Sequence, residues 1–84
     1  MTKVELPKWF DGQKYDEGDT VTNPFSGQSY ELTAEELSMY DFVIGASNLM
    51  EMGLLKNKKV LTDMRKGLDW FRKNNTDAYY VLLD

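Results

Sequence analysis

Apolar and polar positions follow one rhythm before residue 33 and another after it. In the first part, Trp9-Phe10 and Gln13-Lys14-Tyr15 flank Asp11-Gly12, a dipeptide suited to the positive φ angles of a tight hairpin turn. Asp19-Thr20-Val21-Thr22 and Gln28-Ser29-Tyr30-Glu31-Leu32 enclose Asn23-Pro24-Phe25-Ser26-Gly27, where Pro24 fixes φ and Gly27 can close the turn. The pattern predicts two β-hairpins within residues 1–32. In the second, the strand period of two puts Val21, Tyr30 and Leu32 on the core face and leaves the threonines and Glu31 to solvent. A sheet this small needs a helix against it.

Helical periodicity begins at Thr33-Ala34-Glu35-Glu36. The Thr33 hydroxyl can accept a backbone N–H of the first turn while Glu36 reaches back, a capping box. The pattern runs to about Met52, with Gly53 placed to stop it, giving a rod of about 28 Å. Met39, Val43, Ala46 and Met50 fall in one line at helical spacing; Phe42 and Leu49 flank it, and Leu37, Tyr40, Ile44 and Ser47 widen the arc. Asp41, Asn48 and Glu51 form a narrow polar stripe. Methionine at this spacing usually fills a core. An arc so wide must nevertheless be covered on several sides, by the sheet, by other helices or by a second subunit.

A second helix is expected from near Asn57 to Asn74-Asn75, with Leu61, Met64, Leu68 and Phe71 as its inner stripe. Gly67 weakens it by about 1 kcal/mol relative to alanine unless it admits another helix closely. Thr76 reads as the N-cap of a short final helix with Tyr79, Leu82 and Leu83 inside; the run from Tyr79 to Leu83 also fits a strand, and the cap favours the helix. The expected fold is α+β in one small domain, 1–84. A hairpin region, 1–32, packs on a helical region, 33–84, in which a helical hairpin of about 34–52 and 58–74 is joined by a short C-terminal helix.

At 84 residues, such a chain buries only about 60–65% of the surface its unfolded form exposes, so the core is small. The chain has no cysteine and no histidine. Disulfides, thiolate nucleophiles and cysteine zinc sites are thereby excluded, and the commonest catalytic base and metal ligand is missing. Asp16-Glu17-Gly18-Asp19 lacks the ligand spacing and late glutamate of an EF-hand loop and reads as an exposed turn. Asp41 and Asp69 stand beside aromatics and read as ordinary helix-surface carboxylates. The expectation is a non-enzymatic protein with no metal and no cofactor.

Charge is where the sequence is most uneven. The net formal charge of −4 divides into −7 on residues 1–55, +5 on residues 56–73 and −2 beyond. Lys58/Lys59, Arg65/Lys66 and Arg72/Lys73 recur every seven residues and centre almost opposite the Leu61 to Phe71 stripe, with Trp70 on the border. This is either a solvated helix face, whose last cations suit the helix dipole, or a surface for an anionic partner. The overall −4 opposes a long polyanion, so nucleic acid is the less expected partner and a protein with an acidic patch the better one. Lys58, Lys59, Arg65, Lys66, Trp70, Arg72 and Lys73 are the candidate partner-binding residues. Met39, Val43, Ala46 and Met50 are the candidates for self-association, with a homodimer favoured. Residues 1–8 carry no apolar core of a secretory signal, and the longest uncharged run in the hydrophobic middle, Phe42 to Met50, falls far short of the roughly 20 residues that span a bilayer. A cytoplasmic location without membrane contact is expected.

At "NPFSGQSYELT", "LSMYDFVIGA" and "KGLDWFRKNNTDAYYVLLD" the sequence resembles small uncharacterised proteins of tailed phages infecting marine cyanobacteria, over nearly its whole length. The resemblance implies a setting rather than a chemistry: synthesis in the cytoplasm of the infected bacterial host, and a role either in the virion or in managing the host. The partner would then be a host or virion protein. A small nucleic-acid-binding module using the basic face of helix 58–73 is the alternative.

Overall fold

Two short strands and three helices follow an arm without regular structure in the computed structural model, which describes residues 5–10, 12–53 and 57–83. The strands β1 (Asp19–Thr22) and β2 (Ser29–Leu32) pair antiparallel, with Val21 opposite Tyr30 and Asp19 opposite Leu32. Val21, Tyr30 and Leu32 therefore share the inner face, and Leu32 is fully buried. On the outer face the hydroxyls of Thr22 and Ser29 are hydrogen bonded at 2.7 Å. Asn23 builds the turn: its Oδ1 accepts the Phe25 N–H at 2.9 Å, and its carbonyl accepts the Gly27 N–H at 2.8 Å. Gly27 takes φ +78°, a left-handed conformation that glycine adopts without steric cost.

The capping box at the start of α1 (Ala34–Glu51) is complete. Glu36 N–H donates to Thr33 Oγ1 at 3.2 Å, and Thr33 N–H donates to Glu36 Oε1 at 2.9 Å. At the far end Met52 is the C-cap, and Gly53 at φ +73° turns the chain out of the helix. Helix α2 (Lys58–Asn74) opens on Asn57, whose side chain accepts the Lys59 N–H at 2.9 Å.

Helix α3 (Thr76–Leu82) corrects the expected cap by one residue. Asn75, not Thr76, holds the non-helical backbone conformation and accepts the Ala78 N–H on its side chain. Thr76 already lies inside the helix, and its hydroxyl donates back to the Arg72 carbonyl at 2.8 Å. Residues 79–82 are helical, which resolves the helix-or-strand choice for that part of the run.

The hairpin expected around Asp11-Gly12 is not observed. Asp11 lies outside the described residues, and no strand forms among the described residues of 5–18. Neighbouring residues on a strand point to opposite faces, whereas Trp9 and Phe10 both pack on Phe42 of α1, at ring-centroid distances of 6.3 and 5.7 Å. Burying both rings on one helix is incompatible with an extended strand. Tyr15 N–H fastens the arm further along, donating to the buried Ser38 Oγ at 2.9 Å, while Ser38 itself donates to the Ala34 carbonyl.

The core is assembled from all of these parts: Phe10 of the arm, Leu32 of β2, Met39, Val43 and Ala46 of α1, Met64 and Phe71 of α2, and Ala78 and Leu82 of α3. Gly67 lets α1 and α2 meet. A β-carbon there would lie 2.9 Å from Met39 Sδ and 3.0 Å from Val43 Cγ2. The wide apolar arc of α1 is thus covered largely within the chain. Met39, Val43 and Ala46 are 0, 3 and 5% exposed, which corrects their assignment to a subunit contact. Met50 alone of that set is substantially exposed, at 44%, while Val43 reaches the surface only as part of a groove wall.

Candidate partner-binding surface

The basic pairs of α2 do lie on its outer side: Lys58, Lys59, Arg65, Lys66, Arg72 and Lys73 are exposed and Trp70 is half-buried. They do not form one continuous cationic strip, because two carboxylates divide it. Lys59 Nζ contacts Asp63 Oδ2 at 2.9 Å, and Asp63 is itself buried. Asp69 takes Arg72 on one oxygen at 2.8 Å and Lys73 on the other at 3.0 Å. Hydrogen bonds from Lys73 and then Arg72 hold the Asp69 carboxyl below its ordinary value. The Lys66 ammonium stands over the Trp9 ring at 5.9 Å from its centroid, a cation–π contact. The Trp70 ring packs edge-on against Phe71 at 5.9 Å rather than standing out as a stacking platform.

At 100° per residue, Arg65 and Arg72 turn toward α3 while Lys66 turns toward the arm. Arg65, Leu68, Asp69, Arg72 and Tyr79 line an open hollow of about 270 Å³ between α2 and α3. Among the described residues Arg65 has no ion-pair partner, so this hollow keeps an uncompensated guanidinium.

Leu68 is also a wall of a second, apolar depression of about 260 Å³ where the three helices meet. Val43, Ile44, Ser47 and Met50 of α1 form one side. Met64 and Leu68 of α2, with Leu82 and Leu83 of α3, form the rest. Among the described residues of this lining Ser47 carries the one polar side chain, and none is an acid or a base. Leu49 and Met52, 43 and 67% exposed, continue the apolar surface past the end of α1. The groove is geometrically a socket and chemically a hydrophobic one, next to a cationic hollow.

Asp41 and Asp69 are engaged by different neighbours, Asp41 by aromatics and Asp69 by cations. Burial first, and the Asp41 carboxylate second, raise the phenols of Tyr15 and Tyr40 above 10.0. Among the described residues no group of three or more acidic side chains is placed to hold a metal ion, and no helix is long and apolar enough to cross a membrane.

Sequence reasoning missed two features of this surface. Leu82 and Leu83 were expected only to face inward, and their part in an open groove depends on how three helices cross. Phe25, at the tip of the β1–β2 loop, is 97% exposed. A signal for it was present, since turns select proline, glycine, asparagine and serine, and a large aromatic there serves no turn geometry. No known protein family, curated protein or solved structure matches the chain.

Proposed function

We propose that this chain is a non-enzymatic interaction protein, an accessory factor that self-associates or docks on another protein through the surface where α1, α2 and α3 meet. The observation that carries the reading is the apolar groove of about 260 Å³ sharing Leu68 with an arginine-lined hollow. Such a surface suits a segment that offers an apolar side chain next to a carboxylate, because the apolar part gains by leaving water and the carboxylate meets Arg65. The described residues of the groove lining include no acid or base, which favours binding over catalysis. The resemblance to tailed-phage proteins supports an infected bacterial cytoplasm, or the virion, as the setting and a host or virion protein with an acidic patch as the foreign partner. Division of the basic face by Asp63 and Asp69 weighs against nucleic acid.

A photo-crosslinking side chain at Leu68, compared with one at the exposed Lys14, tests this in infected cells. A discrete protein adduct at Leu68 and none at Lys14 is expected. Adducts with DNA or RNA promote the nucleic-acid alternative. Equal, diffuse labelling at both positions refutes a docking surface at the groove.

A further inference from the structure

The loop between β1 and β2 presents a knob. Phe25 is held by the Asn23 side chain, which accepts its N–H at 2.9 Å, and by the Gly27 N–H to Asn23 carbonyl bond at 2.8 Å, so the exposed ring sits on a bonded turn. The same asparagine ties the knob to a place on the fold: its Nδ2 donates to the Val81 carbonyl at 2.9 Å. The next two residues, Leu82 and Leu83, are walls of the groove. Knob and socket therefore flank the last turn of α3, yet Phe25 leaves its own groove open.

The two are matched in chemistry and size. An apolar cavity of about 150 Å³ is enough for a benzene ring, and the groove offers about 260 Å³ among Ile44, Met50, Met64, Leu68, Leu82 and Leu83. Charge agrees as well: residues 19–32 carry Asp19 and Glu31 and no cation, while Arg65 stands in the adjoining hollow. A knob beside its own complement allows a two-fold pairing in which each copy fills the other's socket, and such a reciprocal exchange closes a dimer rather than opening a filament.

We propose that Phe25 of one copy seats in the groove between α1, α2 and α3 of a second copy, reciprocally, forming a symmetric homodimer. This inference rests on the reading of the chain as an interaction protein and names its partner as a second copy. Sedimentation equilibrium of the full chain tests it with Phe25→Ser, which removes the knob, and Met50→Lys, which charges the lip of the socket. Both residues are exposed, so circular dichroism spectra should match the wild type, and thermal midpoints should match it at dilutions where it is monomeric.

The wild type is expected to form dimers, and each variant to dimerise on the order of 100-fold more weakly, since each loses two aromatic burials. Mixing the two variants restores one intact knob-in-socket contact, so the mixture forms more dimer than either variant alone. If Phe25→Ser dimerises as the wild type does, the knob assignment is overturned while self-association stands. If the wild type stays at 9.8 kDa up to millimolar concentration, the homodimer is overturned and the crosslinking at Leu68 decides the foreign-partner reading independently.

Discussion

Asn75 joins three parts of the fold with one side chain, and replacing it with alanine should cost far more than a typical cap. Its Oδ1 accepts the Ala78 N–H at 3.2 Å and starts α3, while its Nδ2 donates to Glu36 Oε2 at 2.8 Å. The other oxygen of Glu36 closes the capping box of α1. Loss of an N-cap costs about 0.5–2 kcal/mol. Loss of a hydrogen bond to a charged group adds about 1.5–3 kcal/mol, because Glu36 is only 8% exposed and water cannot fully replace the donor. The two losses overlap once α3 loosens, so Asn75→Ala is expected to destabilise by about 2–4 kcal/mol. For a domain of this size that lowers the thermal midpoint by about 10–30 °C.

Urea unfolding followed by circular dichroism measures the loss, with an unchanged denaturant slope as the sign that the unfolded state is unaffected. A double-mutant cycle with Glu36→Ala isolates the Asn75–Glu36 bond. Asn75→Asp keeps the cap acceptor but replaces the donor toward Glu36 with a second carboxylate, so this variant should recover little of the stability lost in Asn75→Ala. An Asn75→Ala protein within about 0.5 kcal/mol of the wild type would refute the bridging role.

Two glycines and three titrating groups give further expectations. Gly45→Ala, at an exposed position inside α1 where an added β-carbon meets nothing within 4 Å, should raise stability by about 0.5–1 kcal/mol. Gly18→Ala places its β-carbon on the Leu32 carbonyl oxygen and should lower stability by about 1–3 kcal/mol; equal midpoints for these two variants would show the packing argument to be wrong. Because the Asp69 carboxyl is held below 3.8 in the folded chain, its contribution is present above that pH and fades as the pH falls further, a slope that Asp69→Asn should flatten in acid unfolding curves. The Tyr15 and Tyr40 phenols are raised above 10.0, so their contribution is full below pH 10 and is lost as the pH climbs past it. Phenolate absorbance should show two tyrosines titrating late, and Tyr15→Phe should remove one of them.

What the sequence made legible was local. The Thr33 capping box, the stop at Gly53 and the limits of α2 depend on residues within one turn of each other, and all are observed. The cap of α3 was placed one position late, at Thr76, because Asn75 before it is as good a cap by residue type and only the backbone decides between them. The arm was misread because the partner of Trp9 and Phe10 is Phe42, some thirty residues away, and a turn dipeptide looked sufficient without it. On the candidate surface, the position of the basic pairs on α2 was legible, but not their division. Lys66 meets Trp9, Arg65 shares a hollow with Tyr79, and neither neighbour lies within one turn of its cation.

The hydrogen bond from Asn23 to the Val81 carbonyl spans 58 residues of chain. Closing so long a loop costs conformational entropy before any contact rewards it, so the hairpin cannot dock early in folding by its own means. β2 packs against both α3 and α1, and α3 is anchored through Asn75 to the start of α1. The hairpin and α3 therefore hold each other down: opening either one frees the other, and their slowest backbone amides should exchange with solvent at a common rate. A ligand that touched only one of the two elements would slow exchange in both together.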